Sequence, residues 1–243
     1  MTKKKLAIID GDSLCYLCSK EELEESQELI TDLVTNILLE TGSEYYYLFL
    51  SEGKYFRHQV NKQYKSNRPP TTLLWIKELK QLLKDKFLAE SWKGVEADDA
   101  VAYKAKELRD EYDILICAMD KDVKGQVPGN HYNYRKLEYS TTTEAEAELF
   151  LHVQSCAGDA GDAIKGLPGV GPVKALKILK GAKNGLEMQV LALKAYQDYY
   201  KNPTQALHEY QKNYKQVRLM STKDEFLDNV DYLPPNKQPI KIN

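Results

Sequence analysis

Residues 5–12, KLAIIDGD, carry a short apolar run that ends on a carboxylate. Such a run, bounded by charges, predicts a buried strand, and similar runs return at residues 45–50, YYYLFL, and 113–118, DILICA. Strands that alternate with helices predict an α/β fold with a mostly parallel sheet. The segments with apolar side chains at helical spacing are 21–39, 73–89 and 98–109.

The pattern changes at about residue 143. Residues 143–153 are predicted to be helical, a Gly-rich stretch follows, and most of the remaining chain is helical and polar. The Pro-rich tail, with Pro234, Pro235 and Pro239, is expected to run extended over the surface. We therefore expect an α/β body over residues 1–142 and a helical part over residues 143–243.

Composition indicates a globular protein that does not enter a membrane. The 243 residues are 42% hydrophobic and 29% charged, and the formal net charge is −2. No stretch approaches the roughly 20 apolar residues of a membrane span, and the four apolar residues 6–9 are too few for a signal peptide. The balanced net charge is not typical of a protein that coats nucleic acid without specificity. Acids that bind cations would, however, cancel the charge of a basic face in this sum.

Acidic residues follow the predicted strands where each one ends. Because the carboxyl ends of parallel strands meet at one edge of a sheet, we expect three of these groups to lie close together. A single Asp pair is more often a helix cap or a loop, but five groups cannot stay ionised together without cations. No His or Cys accompanies them, so the predicted ligands are all oxygen, which suits two Mg²⁺ or Mn²⁺ ions acting on a phosphodiester. The acids are Asp10, Glu52, Glu96, Asp98, Asp99, Asp120, Asp122, Asp159 and Asp162.

A basic stretch, residues 54–68, contains no acid. A solvated surface run is the ordinary interpretation of such a segment. Beside an acidic metal site, however, Arg57, Lys65 and Arg68 are candidates for binding a nucleic-acid phosphate.

The stretch from Gly166 to Ala175, GLPGVGPVKA, predicts a tight hairpin between two helices. Gly169 and Gly171 would let the backbone approach a phosphate, and Lys174 continues the positive edge. This pattern is typical of a helix-hairpin-helix that grips DNA without reading its sequence. A helix C-cap followed by a turn is the alternative.

Taken in order, these segments resemble the 5′-nuclease family. That family is the flap endonuclease and 5′→3′ exonuclease group, with the nuclease part of bacterial DNA polymerase I and the short phage exonucleases. The resemblance runs from about residue 5 to about residue 182. Its matching motifs are IIDGD, FRHQVNKQYKSNR, GVEADDA, AMDKD and GDAGDAIKGLPGVGPVKA.

The resemblance implies a PIN-like, mostly parallel sheet flanked by helices, with a helix-hairpin-helix (helix-3-turn-helix) at about residues 158–182. It implies that Lys65 and Arg68 contact the scissile phosphate and that the hairpin grips duplex DNA and holds a K⁺ ion. It also implies two ions: Asp10, Glu96, Asp98, Asp99 and Asp120 for the first, completed by Asp122, Asp159 and Asp162 for the second.

The expected activity is that of a Mg²⁺-dependent 5′→3′ exonuclease or flap endonuclease. The expected substrate is DNA with a duplex 5′ end, a 5′ flap or a nick, and the RNA strand of hybrids is a further expected target. We also expect a monomer that acts in the bacterial cytoplasm as a phage protein.

Two features depart from the family pattern. The family has an Asp after the second strand, where this chain has Ser51 and Glu52, so Glu52 is the expected substitute. The arch segment, residues 69–95, is short, which favours the phage exonucleases over enzymes that thread a flap. Asp12 has no constant counterpart in the family.

Other functions remain as alternatives. The opening Asp10-Gly-Asp12 also resembles a haloacid-dehalogenase phosphatase, in which Asp10 would be the nucleophile. A non-catalytic helix-hairpin-helix DNA-binding protein is the other alternative. The Cys15-x-x-Cys18 pair has no second pair for zinc, so we expect small buried residues rather than a redox dithiol.

Overall fold

The computed structural model of the chain describes residues 3–69 and 72–242. Residues 70 and 71 of the predicted arch lie outside the described residues. The same holds for residues 1, 2 and 243 at the ends of the two predicted parts.

The described residues form strands and helices that alternate in the first half of the chain and are mainly helical afterwards. The strands are β1 (Lys4–Asp10), β2 (Tyr45–Phe49), β3 (Tyr112–Cys117), β4 (Gly129–Asn133), β5 (Glu138–Thr142) and β6 (Ile240–Lys241). The helices are α1 (Asp12–Cys18), α2 (Leu23–Thr41), α3 (Phe56–Val60), α4 (Ile76–Phe87), α5 (Ala97–Leu108), α6 (Lys121–Gln126), α7 (Glu144–Ala157), α8 (Pro172–Ile178), α9 (Gly185–Tyr200), α10 (Pro203–Val217) and α11 (Lys223–Val230).

The strands form one sheet in the order β5-β4-β3-β1-β2-β6. β1 runs parallel to both β2 and β3, and β3 runs parallel to β4, while the edge strands β5 and β6 are antiparallel. This confirms the predicted α/β class with a mostly parallel sheet. The sequence did not reveal β4, β5 or β6, because their polar residues lack an apolar run. The Pro-rich tail ends in β6, which pairs with β2.

The two faces of the sheet bury different sets of side chains, as the period of two requires. Ala7 and Ile9 of β1 pack in a core with Leu79 and Leu83 of α4. On β2, Phe49 packs its ring edge-on against Trp92, with ring centroids 5.0 Å apart. Each fully buried Leu or Ile side chain contributes about 1.5–3 kcal/mol to stability. The sheet is therefore stabilised by side chains that pack against its strands.

The chain divides into two compact units that are discontinuous in sequence. The first unit contains Met1–Tyr55, Thr71–Thr142 and Leu219–Asn243. The second unit contains Phe56–Pro70 and Thr143–Arg218. The expected linear division at residue 142 differs from this grouping in two segments. The C-terminal segment belongs to the first unit because β6 pairs with β2, and residues 56–70 belong to the second because they bond to its loops and helices.

The second unit has an apolar core of its own. Cys156 of α7, Ala175 of α8, Ala192 and Tyr196 of α9, and Ala206 of α10 lie in one buried cluster. The Tyr196 hydroxyl donates a hydrogen bond of 2.7 Å to the Ser155 carbonyl oxygen, so this large buried side chain is satisfied.

The four cysteines are free and buried, as expected for small core residues. Burial raises the pKa of the Cys15 thiol to about 12 and that of Cys18 to about 11. A high thiol pKa disfavours the thiolate that metal binding or redox chemistry needs.

The longest helix, α2, has 19 residues and carries Glu24 and Glu25 in its first turn. Within residues 3–69 and 72–242, no helix is both long and apolar enough to cross a membrane.

Candidate functional site

Three carboxylates come together at the start of α5. Glu96 is its N-cap residue, and Asp98 and Asp99 lie in its first turn. One carboxylate oxygen from each lies within 4.8 Å of the others, a spacing that a single metal ion could bridge. Glu96 and Asp99 also form a capping box, in which the Glu96 backbone N–H donates 3.2 Å to Asp99 Oδ2. Local helix capping therefore fixes the acids in this arrangement.

Asp10, at the end of β1, is a buried carboxyl among other acids. Burial, followed by the negative charges of Asp12 and Asp120, raises its pKa to about 7 from an ordinary value of 3.8. The Asp12 backbone N–H donates 3.2 Å to Asp10 Oδ1, and the Ser13 hydroxyl donates 3.3 Å to Oδ2. These hydrogen bonds favour the ionised form but do not outweigh burial and repulsion. A carboxylate so placed gains from a nearby cation.

The negative charge of Asp12 acts on Asp10 and also on Tyr55, on which the α5 carboxylates act as well. Burial, and then the negative charges of Asp12, Glu96 and Asp98, raise the pKa of the Tyr55 hydroxyl. The charge of the same Asp12, together with that of Asp120, acts on Asp10. We call this group the acidic centre. It consists of Asp10, Asp12, Glu96, Asp98, Asp99 and Asp120.

Asp120 and Asp122 follow β3, as predicted. Asp120 is the N-cap residue of α6, and its Oδ1 accepts a hydrogen bond of 2.6 Å from the Asp122 backbone N–H. The acidic centre therefore contains carboxylates from β1, from the start of α5 and from the loop after β3. Its donors are all oxygen and include a buried, charge-crowded carboxyl, which fits a hard divalent cation.

Glu52 is not part of the three-carboxylate cluster at α5. Its side chain is 46% exposed, and its Oε1 accepts a hydrogen bond of 2.6 Å from Lys84 Nζ on α4. The Lys84 ammonium holds the pKa of Glu52 below its ordinary value. The predicted substitute for the missing Asp is thus paired with a lysine.

In the second unit, Asp159 is the N-cap residue of a 3-10 turn, Ala160–Asp162, and Asp162 is the last residue of that turn. Asp159 is buried, and its Oδ1 accepts a hydrogen bond of 2.8 Å from the Gly161 backbone N–H. Asp162 forms an ion pair with Arg68, and its Oδ2 accepts a hydrogen bond of 3.1 Å from the Tyr64 hydroxyl. The predicted phosphate-binding arginine therefore neutralises one of the predicted metal ligands.

Lys65 is attached to the same turn through its backbone. Its N–H donates 2.9 Å to the Asp162 carbonyl oxygen, and its φ of 56° is left-handed. Its Nζ lies 5.1 Å from the centre of the Tyr64 ring. The backbone of Lys65 and the side chain of Arg68 thus both bond to Asp162.

Arg57 does not occupy a position that fits the predicted DNA contact. Its guanidinium is buried, with Nε donating 2.8 Å to the Gln216 carbonyl oxygen and Nη2 donating 2.7 Å to the Arg218 carbonyl oxygen. These carbonyls lie at the C-terminal end of α10, where helix carbonyls lack partners within the helix. Arg57 therefore caps a helix instead of facing a phosphate.

The predicted hairpin lies between α7 and α8. Gly169 and Gly171 are exposed, and a Cβ on either would meet no atom within 4 Å. Lys174 is also exposed, and its Nζ donates 2.7 Å to the Gly169 carbonyl oxygen. The outer side of the turn is therefore open, and the Lys174 ammonium already bonds to one of the carbonyl oxygens of the turn.

Sequence reasoning missed several partners of the acids. Lys80 binds Asp12, Tyr64 binds Asp162, and the Tyr134 hydroxyl donates 3.0 Å to the Asp10 carbonyl oxygen. Lys80 and Tyr134 belong to none of the matching motifs, whereas Tyr64 belongs to FRHQVNKQYKSNR. Each of the three is far along the chain from its partner, so no local signal could have identified the pairing.

Known proteins resemble this chain in sequence and in fold. The family described as "5′-3′ exonuclease, N-terminal resolvase-like domain" matches residues 5–151. The chain is 28% identical over 201 residues to a 5′-3′ exonuclease of Mycoplasmopsis pulmonis, covering 74% of this chain. It is 27% identical over 202 residues to the thermostable DNA polymerase I of Thermus thermophilus, covering 73% of this chain.

The chain spans less than two thirds of the length of these two relatives, namely 65% of the first and 24% of the second. Among solved structures, it is similar to the bacteriophage T5 D15 flap endonuclease, which was crystallised with DNA and metal ions. The TM-score is 0.72 at 19% identity, over 94% of this chain and 96% of the other. At this identity the likeness shows a shared fold, consistent with the expected PIN-like sheet.

Proposed function

We propose a divalent-metal-dependent 5′ nuclease activity on DNA for this chain, which belongs to the 5′-3′ exonuclease family through the N-terminal resolvase-like domain matched by residues 5–151. The observation that carries the proposal is the cluster of Glu96, Asp98 and Asp99, whose carboxylate oxygens lie within 4.8 Å of one another. Relatives named as a 5′-3′ exonuclease and a DNA polymerase I support the reaction class.

We propose Mg²⁺ as the ion of the acidic centre, with Mn²⁺ able to replace it. Carboxylate-only donor sets suit both ions, whereas zinc and copper favour His or Cys. We assign a second ion to Asp159 and Asp162, following the family resemblance. A K⁺ ion at the hairpin is a further proposal that follows the family resemblance. The Gly169 carbonyl oxygen of that hairpin already accepts a hydrogen bond from Lys174 Nζ.

The residues around the ions have separate tasks in this proposal. The carboxylates of the acidic centre would hold a divalent ion, which would supply a lowered pKa for a water nucleophile and a positive charge beside the departing oxyanion. Lys65 and Arg68 neutralise and orient the phosphate. The exposed hairpin at Gly169 and Gly171 contacts the backbone of duplex DNA without reading bases. Because these contacts are to backbone, the RNA strand of a hybrid is included among the proposed substrates.

The decisive variant is Asp120→Asn. An Asn side chain keeps the Oδ1 that caps α6 but removes one negative charge from the acidic centre. We expect a loss of cleavage of at least 100-fold, with DNA affinity measured without divalent metal changed less than threefold. Asp113→Asn is the matched control, since Asp113 is exposed near the start of β3, the strand that Asp120 follows. Equal activity in both variants would refute the assignment.

The type of nuclease is tested with three labelled DNAs in Mg²⁺: a blunt duplex, a 5′ flap and a closed circle. We expect short products from the labelled 5′ end of the duplex and none from the circle. Cutting mainly at the flap junction would show that the short arch segment supports flap recognition. Inactivity on all three DNAs, in Mg²⁺ and in Mn²⁺, would favour a non-catalytic DNA-binding protein.

A further inference from the structure

Asp12 holds a fixed position beside the end of β2, although it follows β1 in the chain. Its Oδ1 accepts a hydrogen bond of 3.1 Å from the Ser51 backbone N–H and one of 2.7 Å from Lys80 Nζ. Lys80 also donates 2.7 Å to the Ser51 carbonyl oxygen, so one ammonium joins the carboxylate to the strand end. The Asp12 carboxylate thus lies at the place where the chain leaves β2.

Only one of the two carboxylate oxygens is used in this way. Across residues 3–69 and 72–242, Asp12 Oδ2 accepts no hydrogen bond, although its side chain is only 24% exposed. The Asp12 backbone N–H donates 3.2 Å to Asp10 Oδ1, so Asp12 lies directly beside the buried carboxyl of the acidic centre. A carboxylate with one anchored oxygen and one remaining oxygen, beside a buried carboxyl, has the properties of a metal ligand.

Glu52 is paired with a lysine as Asp12 is, but its side chain is about twice as exposed, at 46% against 24%. It is the acid nearest in sequence to the end of β2, but it is half exposed and paired with Lys84. Lys80 and Lys84 lie one turn apart on α4, and each binds a different acid. The two pairs can therefore be compared directly.

We propose that Asp12, rather than Glu52, supplies the carboxylate at the end of β2 that completes the metal site of the acidic centre. Oδ1 is held by the Ser51 N–H and by Lys80, and Oδ2 is the donor to the ion. The inference rests on the proposed metal dependence and assigns a ligand within it.

The test measures Mn²⁺ binding by titration calorimetry without DNA, so that no cleavage is needed for the readout. Asp12→Asn keeps an Oδ1 that accepts both anchoring bonds but loses the charge. We expect Mn²⁺ affinity to fall at least tenfold in Asp12→Asn and to change less than twofold in Glu52→Gln. A fall confined to Glu52→Gln, or equal falls in both variants, would overturn the assignment.

A second measurement uses the unaltered protein and does not depend on how a variant folds. With ¹³C-labelled protein, substoichiometric Mn²⁺ should broaden the Asp12 carboxyl resonance well before that of Glu52. Broadening of Glu52 first would overturn the proposal. Cleavage by the wild type together with wild-type Mn²⁺ affinity in Asp12→Asn would reject this ligand alone. Mn²⁺ binding that depends on Asp12, in a protein that cuts no DNA, would reject the nuclease and keep the ligand.

Discussion

The backbone N–H of Met220 donates a hydrogen bond of 2.9 Å to Oδ1 of Asp99, which lies 121 residues earlier in the chain. The Asp99 carboxylate is fully buried. The other oxygen of Asp99, Oδ2, accepts the N–H of Glu96. One side chain therefore holds the first turn of α5 and anchors the C-terminal segment that begins at Leu219. The same side chain is part of the acidic centre, so the fold and the proposed metal site share one residue.

Replacing Asp99 should cost stability as well as metal affinity. Asp99→Ala leaves two buried backbone N–H groups without their acceptor, which costs about 1–3 kcal/mol. Urea unfolding of the metal-free protein measures this loss. Asp98→Ala is the comparison, because Asp98 is only partly buried, and we expect a smaller loss there. A larger loss in Asp98→Ala would contradict a structural role for Asp99.

The raised pKa of Asp10 makes the metal-free protein less stable as pH rises. Folding raises this pKa from about 3.8 to about 7, so the folded state binds more protons between those values. Stability from this group is present in full below pH of about 4 and is lost as pH rises through about 7. Melting temperature should fall across this window, and added Mg²⁺ should restore it increasingly at higher pH.

Asp10→Asn is the control for this pH dependence. The variant has no carboxyl at residue 10 to titrate, so its metal-free melting temperature should vary less between pH 4 and 7. An unchanged slope in Asp10→Asn would show that another group is responsible.

Gly158 and Gly166 should tolerate no side chain, whereas Gly169 should. A Cβ on Gly158 would lie 2.3 Å from the Ile164 carbonyl oxygen, and one on Gly166 would lie 2.3 Å from the Ala157 carbonyl carbon. Gly169 has the same left-handed φ as Gly158, +74°, but no atom within 4 Å of a Cβ. We expect Gly169→Ala to cost about 1 kcal/mol through backbone conformation alone.

Thermal unfolding distinguishes the steric effect from the backbone effect. Gly158→Ala should lower the melting temperature far more than Gly169→Ala, because backbone atoms must move to admit the methyl group. Similar losses in the two variants would mean that backbone conformation alone sets the cost.

We expect substitution of Arg57 to lower stability and substitution of Arg68 to weaken DNA binding. Arg57→Met removes two charge-assisted hydrogen bonds from buried carbonyls, which are worth about 1.5–3 kcal/mol each. Arg68 is 54% exposed, and its ion pair with Asp162 is worth about 0–1 kcal/mol. Arg68→Met should instead weaken DNA binding and reduce its salt dependence by about one ion.

The two measurements are urea unfolding and DNA affinity over a range of salt concentrations. A stability loss in Arg68→Met as large as in Arg57→Met would refute the division of roles. So would an unchanged salt slope in Arg68→Met.

The sequence by itself determined the class of fold and the edge of the sheet at which the acidic residues lie. Short apolar runs that end in Asp10 and just before Asp120 are local patterns, and local patterns predict parallel strands with acids at their carboxyl ends. The capping arrangement at the start of α5 is local as well, since Glu96 and Asp99 are three residues apart. The match over residues 5–151 agrees with these patterns.

Only the tertiary structure decided which side chains serve which purpose. Arg57 lies in a basic stretch, yet it caps a helix 159 residues away. Asp12 meets Lys80, 68 residues away, and Glu52 meets Lys84 instead of the other acids. A charged side chain is exposed, paired or buried according to what the folded chain places beside it. Residue type and spacing contain no information about partners so distant in sequence.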